Sequence, residues 1–161
     1  MTNNHKIHLI GVPGSPYTRK MLALLRFRHI SHLVTWDQPL NILKKNNIEP
    51  PKPILLPVCL FEGDEGVIAK CDSTPIIRDL ENDFTERSVI PSNPVLSFLN
   101  YLIEDFADEW VTKYMFHYRW HFKKDINNAG DWLPFLYGTN VDQETYSTFR
   151  DYIVDAQTSR L

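Results

Sequence analysis

Lys6-Ile7-His8-Leu9-Ile10-Gly11-Val12-Pro13-Gly14-Ser15-Pro16-Tyr17-Thr18-Arg19-Lys20 is the stretch whose reading decides the fold. Its apolar opening, Lys6 to Ile10, predicts a short strand. Gly11-Val12-Pro13-Gly14 predicts a turn, because glycine and proline interrupt regular structure. Ser15-Pro16 has the form of a helix start: a hydroxyl can accept one of the unpaired N–H groups, and the fixed φ of proline suits the first helical position. Met21, Leu22, Leu24 and Leu25 continue an apolar stripe, so the helix is expected to run to about His29.

Downstream, His32 to Trp36 reads as a second strand, with β-branched Val34 and Thr35. Pro39 to Lys45 suggests a short helix, and Asn46 to Pro53, polar and proline-rich, a loop. Val58 to Phe61 and Gly66 to Ala69 read as a hairpin turning through Glu62-Gly63-Asp64-Glu65. Asp72-Ser73 opens another helix, through Ile76, Ile77 and Leu80 to about Glu81. The order βαβαββα implies a parallel pair followed by antiparallel strands at one edge, an α/β arrangement that resembles thioredoxin.

Asp83 to Asn93 separates this half from an all-α remainder. Val95 to Phe122 contains no Gly or Pro, and Leu99, Leu102, Ile103, Phe106, Trp110 and Tyr114 recur at helical spacing. One long core helix, or two with a bend, is expected there, ended by Asn127-Asn128-Ala129-Gly130. Asp142 to Leu161 reads as a final amphipathic helix bearing Tyr146, Phe149, Ile153 and Val154. The expected division is a domain over 1–83, a linker over 84–94 and a helical domain over 95–161.

Composition limits the function classes. A hydrophobic fraction of 43% and an aromatic fraction of 12% describe a globular chain. With a net charge of -3 and no basic run, nucleic acid is not an expected partner. No apolar stretch approaches the ~18 residues a membrane helix needs, and Met1 to Lys6 lacks an apolar signal segment. Two cysteines, Cys59 and Cys71, fit a reducing compartment, so the cytoplasm is the expected location.

Three segments could carry chemistry. Ser15 either caps its own helix or, beside the positive end of the helix dipole, donates a hydrogen bond to a bound thiolate. Leu56-Pro57 is either a loop-to-strand junction or a site where the backbone of Leu56 pairs with an extended ligand. Asp72-Ser73 either caps a helix or binds a zwitterion, with Asp72 toward an ammonium and Ser73 toward a carboxylate.

Ser15-Pro16-Tyr17-Thr18 is similar to the Cys-Pro-Tyr-Cys segment of glutaredoxins and to the serine or cysteine helix start of glutathione transferases. Asp72-Ser73-Thr74-Pro75-Ile76 resembles the transferase pattern Glu/Asp-Ser-x-Ala-Ile, with proline for alanine. Gly11 to Lys20, Asp72 to Pro75, Asp108-Glu109-Trp110 and Phe116-His117-Tyr118-Arg119-Trp120 together resemble a bacterial-like, serine-type subgroup. The resemblance implies glutathione as co-substrate, bound through Tyr17, Leu56, cis Pro57, Asp72 and Ser73, with Ser15 as the catalytic hydroxyl. Tyr17 and Thr18 are second choices for that hydroxyl. It further implies a homodimer and conjugation of glutathione to a small hydrophobic electrophile, without a metal. Ser15 and Thr18 at the two cysteine positions count against a dithiol reductase.

The long aromatic helix is read as core, with some residues walling an electrophile pocket. His117 and His121, four apart, have metal-ligand spacing but no evident third ligand. Cys71 is read as structural or as a site of glutathione adduction. The helical half is shorter than that of a transferase, so the chain is expected to be truncated. The competing reading is therefore a non-catalytic, transferase-derived binding or assembly module.

Overall fold

The computed structural model describes residues 7–63, 66–137 and 140–160. Two compact units divide at Pro91 and Ser92.

The first unit holds β1 (Ile7–Gly11), α1 (Pro16–Phe27), β2 (His32–Trp36), α2 (Pro39–Lys45), β3 (Val58–Gly63), β4 (Gly66–Cys71) and α3 (Ser73–Asp83). The strand order is β2-β1-β3-β4. β1 and β2 are parallel, and β3 is antiparallel to both β1 and β4. This is the expected βαβαββα thioredoxin-like sheet. Part of the expected hairpin turn, Asp64 and Glu65, lies outside the described residues, as do Lys6 and Leu161.

Side-chain alternation on the strands builds two cores. Ile7, Leu9 and Cys59 face one side, under Met21, Leu24 and Leu25 of α1 and Ile76, Ile77 and Leu80 of α3. Ile10, Val58 and Leu60 face the other, under Leu43 of α2. Coverage on both faces explains why β1 is apolar almost throughout instead of alternating with polar residues.

A buried arginine ties down the segment after α3. Arg28, 4% exposed, pairs its Nη1 with Glu81 Oε1 at 2.6 Å. Its Nη2 donates to the carbonyls of Phe84 and Glu86. Glu81 in turn accepts from the N–H of Val89 at 3.2 Å and from the Ser88 hydroxyl, while Arg87 Nε donates to the Phe27 carbonyl.

The second unit holds α4 (Pro94–Phe106), a π-helical segment (Ala107–Val111), α5 (Thr112–Trp120), α6 (Lys123–Trp132), a 3-10 segment (Leu133–Tyr137) and α7 (Gln143–Thr158). The helical run from Pro94 ends not at Asn127-Asn128-Ala129-Gly130 but earlier, where Phe122 adopts an extended backbone, φ -90° and ψ 133°. The four residues expected to terminate a helix lie inside α6. Gly130 is there for space: a Cβ on it would lie 2.8 Å from Cγ2 of Val154 on α7. The small core is Trp120, Ala129 and Leu133, packed with Phe116, Ile126, Ile153 and Val154. Contrary to the expected core stripe, no residue of α4 is buried, and Ile103 is 69% exposed. Asp142 caps α7, taking the N–H and the hydroxyl of Thr145, both at 2.8 Å. These two bonds hold its carboxyl below the usual range.

Candidate active site

Strand register brings the three sequence motifs to one end of the sheet. Ile10 pairs with Val58, and Val58 pairs on its other side with Cys71. From this single row the chain runs off the same end three times: through Gly11 to Ser15, back through Pro57 to Leu56, and on to Asp72 and Ser73. Motifs about forty and about sixteen residues apart in sequence thus flank one row.

Ser15 is the N-cap of α1. Its Oγ accepts the Thr18 N–H at 3.2 Å, and it is 8% exposed. Its own N–H bonds the Val12 carbonyl at 3.1 Å. Arg19 Nε donates to the Pro13 carbonyl at 2.9 Å, fastening the loop that delivers Ser15. Tyr17 is half-buried in the same first turn. Thr18, a second choice for the hydroxyl, faces the other way. It is fully buried against Gly11, where a Cβ would lie 2.5 Å from its Oγ1, so its hydroxyl has no path to a ligand.

The Leu56–Pro57 peptide bond is cis, Pro57 is fully buried and Leu56 is half-buried at the entrance to β3. Asp72 caps α3, its Oδ1 accepting the Thr74 N–H at 3.2 Å. Its backbone has φ 74° and ψ 114°, a left-handed value unusual for a residue with a side chain. Such a conformation costs on the order of 1–3 kcal/mol and is characteristic of sites where geometry serves a ligand. Asp72 is exposed, whereas Ser73 is buried. Lys20, one turn beyond Ser15, reaches from α1 to Thr74 Oγ1 at 3.4 Å. Sequence reasoning missed it, because nothing local marks a contact made fifty-four residues away.

The cysteines differ. Burial, with Cys71 nearby, pushes the Cys59 thiol up to about 12, so it is a protonated core residue. Cys71 Sγ lies 3.1 Å from the Pro53 carbonyl. In the second unit His117 and His121 stack with ring centroids 4.5 Å apart. No group of three or more His, Cys, Asp or Glu side chains able to hold a metal occurs among the described residues. Nor is any helix among them long and apolar enough to cross a membrane.

Residues 9–88 match the family described as glutathione S-transferase, N-terminal domain. The match falls within the first unit, which ends at Pro91. Solved structures extend the likeness across both units. The maleylacetoacetate isomerase of Anaeromyxobacter dehalogenans, solved with dicarboxyethyl glutathione and citrate in its active site, is 11% identical with a TM-score of 0.53; the alignment covers 96% of this chain and 80% of that one. A Tau class glutathione S-transferase from mango, Mangifera indica, is 14% identical with a TM-score of 0.54, over 96% and 79% of the two chains. A glutathione S-transferase from Rhodospirillum rubrum is 14% identical with a TM-score of 0.54, and this chain spans 62% of its length. At these identities the likeness establishes the shared fold, a glutathione transferase-type sheet followed by helices. No curated protein matches the chain at a significant level.

Proposed function

We propose that this protein is a serine-type glutathione transferase that binds glutathione, stabilises its thiolate and transfers it to a small hydrophobic electrophile. The observation that carries the reading is the row Ile10–Val58–Cys71, which gathers Ser15, Leu56 and Asp72-Ser73 at one end of the sheet. In this reading the cysteinyl unit pairs with the Leu56 backbone as an added strand. The γ-glutamyl zwitterion meets Asp72 and the N–H groups at the start of α3. The sulfur then lies at the N-terminus of α1, where the dipole and the Ser15 hydroxyl both favour the anion. Tyr17 borders the same turn.

The thiol proton passes to solvent, and the thiolate forms a carbon–sulfur bond as the electrophile's displaced pair leaves or is protonated. The protein supplies the ionised sulfur and forms no covalent intermediate with the substrate. Its part in the reaction needs no metal. The glutathione derivative held by the Anaeromyxobacter isomerase, on the same fold, agrees with this assignment. The apolar surface of α4, with Phe98 59% and Ile103 69% exposed, supports a homodimer. We place the enzyme in the cytoplasm.

Isothermal titration of the purified protein with glutathione, beside Asp72→Ala, tests the reading. Saturable binding by wild type that weakens at least about tenfold in the variant is expected, the scale of one hydrogen bond to a charged group. A folded wild-type protein that takes up no glutathione would overturn it.

A further inference from the structure

Arg19 holds the polypeptide on both sides of Ser15. Its own N–H donates to the Ser15 carbonyl at 3.1 Å, and its Nε reaches back to the Pro13 carbonyl at 2.9 Å. The turn between them closes through the Ser15 N–H on the Val12 carbonyl, also at 3.1 Å. Pro13 has no N–H, so its carbonyl is the one polar main-chain group by which it can be tied. Gly14 follows it, and a residue without a Cβ leaves the peptide plane between the two free to turn. The bond from Arg19 restrains that plane immediately before Ser15. The guanidinium is itself braced: its Cζ lies 5.8 Å from the centre of the Trp36 ring, within cation–π range. Trp36 pairs with Gly11 in the β1–β2 ladder, and the next residue, Asp37, donates its N–H to the Gly11 carbonyl at 3.2 Å. Sheet, indole ring, guanidinium and Pro13 carbonyl form one series of contacts that ends on the turn carrying Ser15.

We propose that Arg19, braced on Trp36, is a positioning residue that fixes the Pro13–Gly14 peptide and with it the place of the Ser15 hydroxyl against a bound sulfur. The inference rests on the glutathione reading above. Arg19 acts through Ser15 and not on the sulfur itself. Its loss therefore weakens the contact that Ser15 makes to the thiolate, and leaves the ligand's other contacts as they were. Without Ser15, Arg19 has nothing left to position.

The test is a pH titration of thiolate ultraviolet absorbance in the glutathione-saturated protein. The same protein saturated with S-methylglutathione serves as the blank, so that its own cysteines and tyrosines cancel. Arg19→Met, which keeps an unbranched, helix-favouring side chain, should raise the midpoint of the bound thiol by about half a pH unit. That is roughly a threefold change in ionisation, the scale of one ordinary hydrogen bond lost. Trp36→Leu, which keeps the guanidinium but removes its brace, should move the midpoint in the same direction. Arg19→Met added to Ser15→Gly should leave the midpoint where Ser15→Gly alone places it, because the two residues act in series. Affinity of Arg19→Met for S-methylglutathione should stay within about twofold of wild type, which a general loosening of the site would not allow. An unmoved midpoint in Arg19→Met or in Trp36→Leu would overturn the inference while leaving glutathione binding intact. So would an equal displacement by Arg19→Met with and without the Ser15 hydroxyl, the mark of a charge acting directly on the sulfur. Wild type that takes up no glutathione would overturn the glutathione reading and this inference together. Arg19→Gln gives the same comparison should the methionine variant not fold.

Discussion

Replacing Ser15 separates the helix cap that its hydroxyl forms from the thiolate contact we propose for it. The oxygen accepts the Thr18 N–H at 3.2 Å, and a hydroxyl has a donor left over once it has accepted. Loss of the cap in Ser15→Ala costs about 1 kcal/mol of stability, whereas glycine at the same position costs only a few tenths. The remaining donor, directed at a bound sulfur, is worth about 1.5–3 kcal/mol because its acceptor is charged. With Ser15 only 8% exposed, water does little to dilute that figure. At about 1.4 kcal/mol per pH unit, the bound glutathione thiol should titrate about one to two units higher without the hydroxyl. Both variants should show this displacement, and only Ser15→Ala should also lose the cap energy. The assay is a pH titration of thiolate ultraviolet absorbance in the glutathione-saturated protein, with denaturant unfolding run alongside. A Ser15→Gly protein whose bound thiol titrates as in wild type, and whose turnover is unchanged, would refute the assignment of this hydroxyl.

Two further substitutions test the packing. Gly130→Ala would gain about 1 kcal/mol from helix propensity alone, but its Cβ would lie 2.8 Å from Val154 Cγ2. Overpacking of about 1–3 kcal/mol should win, giving a net loss on the order of 1 kcal/mol that Val154→Ala relieves; a Gly130→Ala protein with a raised melting temperature would contradict this. Arg28→Met leaves half-buried Glu81 without its 2.6 Å partner but with its bonds from Ser88 and Val89, and should cost about 2–3 kcal/mol in chemical denaturation, below the roughly 3–5 kcal/mol of a fully buried pair. Adding Glu81→Gln should recover part of that loss, and an unfolding midpoint near wild type for Arg28→Met alone would show that the pair contributes little.

The βαβαββα order is legible in the sequence because each boundary carries local chemistry: Ser15-Pro16 at one helix start, Asp72-Ser73 at another, and apolar runs between turn-forming residues. Local chemistry also misleads. Asn127-Asn128-Ala129-Gly130 has the composition of a helix terminus, yet it lies within α6, because the close approach of Val154 demands a residue without a side chain at position 130. The stripe from Leu99 to Tyr114 has the period of a core helix, but period reports only that side chains share a face, not that anything covers it. Arg28 looks like any charged residue of a surface helix, and only the return of the chain at Glu81 to Glu86 buries it. At the candidate site, the residue types of each motif are readable one by one. Their convergence on the Ile10–Val58–Cys71 row, the left-handed backbone of Asp72 and the reach of Lys20 come from register and from packing between helices, which spacing along the chain does not specify.

The placement of the two thiols has a consequence for how the chain's cysteine content is to be understood. Cys59 and Cys71 belong to paired strands, but Cys71 stands opposite Val58 and Cys59 opposite Lys70, so alternation sends them to opposite faces of the sheet. Cys59 lies in the core under α1 and α3, and Cys71 packs beside the core under α2. The backbone itself stands between the two sulfurs as an insulator, and oxidation of the folded unit cannot join them. Two unpaired cysteines ordinarily suggest a reducing environment. Here the partition is built into the strand pairing, so the absence of a bond between these two thiols follows from the fold and carries no information about the redox state of the surroundings.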